Sequence, residues 1–136
     1  MELLNAMNIA ASGMRAQSTR LRVVSENLAN ADTSIGADGV NPYRRHLVNF
    51  KSELDRATGA QLVNVGEISL DRSDFRMDYN PTHPNADPDG YVRMPNVNTL
   101  VEVMDMREAQ RSYDANVTMI ENSRSMLQRT VDMLRS

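Results

Sequence analysis

Cysteine and tryptophan are both absent from the 136 residues. Without a thiol the chain forms no disulfide, no Cys-ligated zinc site and no thiol nucleophile. The redox compartment is left open by that absence. Aromatic residues are scarce, two Phe and four Tyr, so the large rings that anchor a thick core are few. No run approaches the ~20 apolar residues of a membrane-spanning helix. Neither sign of charge dominates: 15 basic residues stand against 18 acidic ones, for a net charge of −3, and the signs alternate throughout. That excludes a basic nucleic-acid arm or a polybasic lipid anchor. A Gly-rich phosphate loop and a Gly-x-Ser-x-Gly elbow are also missing. The start, Met1-Glu2-Leu3-Leu4-Asn5-Ala6-Met7-Asn8, lacks the basic stretch and apolar run of a signal peptide. Any export is therefore expected to use a route other than a cleaved signal.

What the chain does have is seven-residue rhythm at both ends. In the first third, one seam reads Met7, Met14, Leu21, Leu28 and the other Leu3, Ala10, Gln17, Val24, Ala31. Steps of three and four put these on one face of a helix over residues 2–31, about 45 Å long. At the other end, Pro95 bars a helix before it, and Thr99 with Glu102 has capping-box spacing. From there one seam reads Met106, Tyr113, Ile120, Leu127, Leu134 and the other Val103, Gln110, Val117, Arg124, Val131. This predicts a helix over 99–135 of about 55 Å. Neither helix buries its stripe alone. Met119, Met126 and Met133 lie beside a seam and widen the apolar face, so the last helix is expected to have more than one helical neighbour.

The middle differs in kind, holding all five Pro and five of the six Gly. Alternation at Val48/Phe50, Val63/Val65 and Phe75/Met77/Tyr79 predicts short strands, and the prolines between Asn80 and Asn98 forbid a helix there. The expected class is α+β: long N- and C-terminal helices pairing as a coiled-coil-like hairpin, with a small irregular β-rich middle. The expected divisions are 1–35, 36–97 and 98–136, the first pairing with the last.

Three features bear on chemistry. Asn85, Asp87, Asp89 and Gly90 match the first half of a calcium loop, but Asn96 stands where the loop needs Glu. The spacing reads as an Asx-braced turn. His83 near Asp87 suggests an acid–base pair, and His46 beside Arg44 and Arg45 a poor zinc ligand; structural roles are the reading for both. No metal, cofactor or catalytic residue is expected. Asn27 and Asn30 flank Leu28 one turn apart, and the residues leave two readings open. They are either the fraying end of the helix or hydrogen-bonding stations that fix register with a partner.

The stretch Ser25-Glu26-Asn27-Leu28-Ala29-Asn30-Ala31-Asp32-Thr33 resembles the N-terminal signature of bacterial flagellar rod and hook proteins. Glu108-Ala109-Gln110-Arg111-Ser112-Tyr113-Asp114-Ala115-Asn116-Val117 is similar to their C-terminal helix. His83-Pro84, Ala86-Asp87, Gly90-Tyr91-Val92 and Pro95-Asn96-Val97 resemble the middle of the proximal rod members, while residues 53–74 match nothing in the family. The resemblance implies a non-enzymatic subunit of the basal-body rod in the periplasmic space, transmitting motor torque to the hook. It implies terminal helices in an inner tubular layer and a β-rich outer part. Partners would be other rod proteins, copies of itself in a helical tube and, during secretion, the flagellar export apparatus; nucleic acid and a membrane span are not expected. Leu3, Met7, Met14, Leu21, Leu28, Tyr113, Val117, Ile120, Leu127 and Leu134 are then the expected assembly contacts, with Asn27 and Asn30 setting register. A sibling rod component and a soluble helical-hairpin adaptor or regulator are the alternatives.

Overall fold

A computed structural model describes residues 1–36 and 39–136. Two helices carry nearly half of the chain. Helix α1 spans Glu2–Ala29 and helix α2 spans Thr99–Arg135. They pack along one another in opposite directions, Arg20 reaching Asp105 and Asn27 reaching Glu102. The fold is α+β, as the periodicity and the prolines predict.

Helix α1 stops two residues before the expected Ala31. Asn30 takes the C-cap position, and its Nδ2 donates to the Glu26 carbonyl at 2.9 Å, serving one of the orphan acceptors at the helix end. Helix α2 begins at Thr99 as expected, but its cap is a different residue. Asn98 Oδ1 accepts from the N–H groups of Leu100 and Val101, whereas the predicted capping carboxylate, Glu102, turns inward. An Asx cap one residue earlier does the same electrostatic work and leaves Glu102 available for another task.

Between the helices lie six strands among the described residues: β1 His46–Leu47, β2 Phe50–Leu54, β3 Gln61–Val65, β4 Ser69–Leu70, β5 Arg76–Tyr79 and β6 Tyr91–Met94. They form three separate two-stranded antiparallel ladders, β1 with β4, β2 with β3 and β5 with β6. Isolated ladders of this size are marginal, so each leans on something else. The β2–β3 hairpin lies along α1, where the Ser12 hydroxyl donates to the Ile9 carbonyl at 2.7 Å and accepts the Val63 N–H at 3.1 Å. In β5–β6 the buried residue is Val92, while Met77 and Tyr79 face outward at 49% and 67% exposure. Gly90 closes this hairpin with φ +85°, and a Cβ there would meet Tyr79 at 2.9 Å. Only glycine adopts that turn without strain or displacement.

Burial concentrates at one end. Val23, Val24, Ala31, Val92, Pro95 and Val97 are buried where the end of α1, the returning β6 segment and the start of α2 converge. Each fully buried Val contributes roughly 1.5–3 kcal/mol. From there the helix pair narrows to small side chains. Ala10, Ala16, Ala109 and Ser123 are buried, and a Cβ on Gly13 would stand 2.8 Å from the Asn116 side chain.

Candidate functional site

Two regions bear on function: a polar knot at the thick end of the molecule and a bare helical face at the thin end.

The knot centres on Asn27, which is 1% exposed. Its Nδ2 donates to the His46 carbonyl at 3.0 Å and to Glu102 Oε2 at 3.3 Å. Its Oδ1 accepts the Tyr43 hydroxyl at 2.8 Å and the His46 N–H at 2.9 Å. An amide has two N–H donors and two lone pairs, so every one is used. Asn27 thus behaves as a short strand edge paired with His46. The paired N–H and C=O of His46 also fix which way the amide points. That orientation settles the imidazole. The Tyr43 hydroxyl, whose one proton goes to Asn27, also stands 2.7 Å from His46 Nδ1, so Nδ1 carries the proton and donates.

Glu102 is fully buried, and a buried carboxylate needs a cation and hydrogen bonds. The Nε of Arg45 donates to Oε1, and Asn27 serves Oε2. Arg45 extends further, to Asp71 at 3.4 Å and Asp105 at 3.5 Å. Burial works against the guanidinium charge, but Glu102 and then Asp71 outweigh it and raise its pKa. Hydrogen bonds from Ser73, with Arg45 adding to them, hold Asp71 below the usual carboxylate range. Asn96 ties the strand segments together, accepting the Arg45 N–H at 2.8 Å and donating to the Asp71 carbonyl at 3.0 Å. The result binds α1, β1, the segment before β5 and α2 through a single set of polar side chains.

The Asx-rich loop is a brace, as its spacing suggests. Asp87 Oδ1 accepts the Tyr91 N–H at 2.8 Å, and His83 Nδ1 accepts the Asn85 N–H at 3.1 Å, so each serves its own turn. Among the described residues, no three His, Asp or Glu side chains are grouped to hold a metal ion. Among them too, no helix is long and apolar enough to cross a membrane.

The expected assembly contacts divide by position. Leu3, Met7, Met14, Leu21 and Leu28 are half-buried along α1, as are Tyr113, Val117 and Ile120 on α2. Leu127 and Leu134 are 37% and 82% exposed. Asn27 spends all its hydrogen-bonding positions within its own chain, and Asn30 caps α1. One expected seam is displaced. The line of α2 that meets α1 is Glu102, Ala109, Asn116, Ser123, one residue before Val103, Gln110, Val117, Arg124. Close approach of two helices selects small side chains, and Glu102 is admitted because Arg45 neutralises it. Hydropathy points to the valines instead, so the true line is invisible to an apolar count.

The same geometry fixes where α1 ends. With Gly13 opposite Asn116, position 1 comes level with about residue 128 of α2. Beyond it α2 runs on alone for about two turns to Arg135. The seam Met106, Tyr113, Ile120, half-buried beside α1, continues through Leu127, 37% exposed, to Leu134 beyond the end of α1, 82% exposed.

Comparison with known proteins gives two family matches, one at each helical end. Residues 7–34 match the family described as flagella basal body rod protein, and residues 89–133 the flagellar basal body rod FlgEFG protein C-terminal family. The chain is 50% identical over 131 residues to the flagellar basal-body rod protein FlgC of Agrobacterium fabrum, covering 96% of this chain and 94% of that one. It is 40% identical over 135 residues to FlgC of Salmonella typhimurium, covering 98% of each. With FlgC of Bacillus subtilis it shares 38% identity over 149 residues, covering 98% of this chain and 99% of the relative.

Proposed function

The chain belongs to the FlgC family of flagellar basal-body rod proteins, structural subunits rather than enzymes, and we propose that it builds the rod through its terminal helices. The observation that carries this reading is the unpaired end of α2. A helix whose apolar seam is half-buried as far as Ile120 and then opens to solvent, 37% exposed at Leu127 and 82% at Leu134, ends with apolar surface left uncovered. A neighbouring subunit supplies the missing surface. The half-buried row Leu3, Met7, Met14, Leu21, Leu28 offers a second apolar strip along α1.

Rod assembly places the subunit in the periplasmic space, where packed axial helices form a stiff shaft carrying torque toward the hook. The terminal divisions 1–35 and 98–136 form the shaft, and 36–97 faces outward. Delivery through the flagellar export apparatus fits a helix pair held chiefly by small side chains, which unthreads at modest cost.

The test replaces the rod subunit of a flagellated bacterium with this chain carrying Leu134→Asp. The variant monomer keeps its circular dichroism, because Leu134 is 82% exposed, yet it fails to enter isolated basal bodies. Normal incorporation and motility of the variant would remove the basis of the reading.

A further inference from the structure

One face of α2, stepping by three and four residues, runs through Asp114, Val117, Glu121, Arg124, Gln128, Val131 and Arg135. Of these only Val117 is half-buried; the rest are exposed. The charge along it changes sign once. Residues 99–123 hold five Asp or Glu against two Arg, and residues 124–135 hold three Arg against one Asp. The acids nearest the polar knot, Glu102, Asp105 and Glu108, are held by Arg45 and Arg20. Among the described residues, Asp114, Glu121, Arg124 and Arg135 form no ion pair. Asp132, one turn before Arg135, accepts a hydrogen bond from Gln128 at 3.2 Å instead. The acidic and basic stretches of this face are thus both unmatched within the chain.

We infer that this face docks on the same face of a second copy, the two α2 helices parallel and displaced along the axis by two heptads. The inference rests on the rod reading given above, since a shaft that grows in one direction orders its subunits in parallel. A shift of fourteen residues, about 21 Å of helix, brings Arg135 level with Glu121 and Arg124 level with Gln110. It also sets Leu134 beside Ile120 and Leu127 beside Tyr113, so the heptad phase is preserved. Unshifted parallel helices would set like charges side by side. Because each copy then offers a free acidic stretch at one end and a free basic stretch at the other, the contact is heterologous and propagates.

The chain has no cysteine, so introduced thiols report the contact without interference. The full-length variant Gln110→Cys/Arg124→Cys, assembled in basal bodies and oxidised, is expected to give a ladder of cross-linked copies. Adding Arg135→Glu is expected to lower the cross-linked yield about two- to five-fold, the range of a solvent-exposed ion pair. Adding Glu121→Arg to that variant then restores it. Incorporation without any ladder overturns the staggered contact while leaving the rod reading standing. Closed dimers from Asp114→Cys/Arg135→Cys overturn it in favour of an antiparallel pair. A yield indifferent to Arg135→Glu overturns the charge argument, and failure of the unmodified chain to enter basal bodies defeats the rod reading itself.

Discussion

The side-chain amide of Asn27 and the backbone of His46 hold one another in both directions, N–H to oxygen at 2.9 Å and N–H to carbonyl at 3.0 Å. A helix is thereby attached to an extended segment as though it were a neighbouring strand. The same amide reaches Tyr43 and Glu102, so one residue on α1 orders three other parts of the chain.

Asn27→Ala removes partners from the His46 N–H and carbonyl, the Tyr43 hydroxyl and one Glu102 oxygen. A buried group left unsatisfied costs about 1–3 kcal/mol, and relaxation or water recovers part of the sum. A loss of roughly 2–4 kcal/mol in urea unfolding is the expected outcome, with the fold of the monomer affected before any assembly step. An Asn27→Ala monomer as stable as the parent would show that the knot is decorative.

Tyr43 supplies a pH test. Burial, with the Glu26 and Glu102 carboxylates adding to it, pushes its hydroxyl up to about 12, from the ordinary phenol value of 10.0. The fold therefore holds the phenol proton more tightly than the unfolded chain does. Its contribution to stability is complete below the unfolded value and is lost as pH rises from about 10 toward 12. Ultraviolet titration of the four tyrosines is expected to show Tyr43 ionising last, and Tyr43→Phe should flatten the fall in stability over that window.

Gly13 tests the closeness of the helices. Gly13→Ala brings a Cβ within 2.8 Å of the Asn116 amide, the movable end of a side chain, and gains about 1 kcal/mol of helix propensity. The two effects oppose, and little net change is expected. Gly13→Leu cannot be absorbed by turning Asn116 and forces the helices apart, a cost of about 1–3 kcal/mol read as a lower melting temperature. Equal stability of Gly13→Leu and Gly13→Ala would refute the close packing.

Periodicity and prolines by themselves determined the two long helices and the extended middle. These are local matters: a 3.6-residue repeat and the fixed φ of proline act on the chain wherever it lies. The seam Met106, Tyr113, Ile120, Leu127, Leu134 was readable for the same reason. Tertiary structure alone decided which line of α2 meets α1, because close approach selects Ala109, Asn116 and Ser123 by size, and hydropathy does not report size. It also decided the fate of Glu102 and Asn27. Both looked like helix-end residues, one a cap and the other frayed or partner-facing. Their burial depends on Arg45 and His46, which lie 57 and 19 residues away along the chain. A polar residue is buried only when distant partners satisfy it, and no local pattern records where those partners fall.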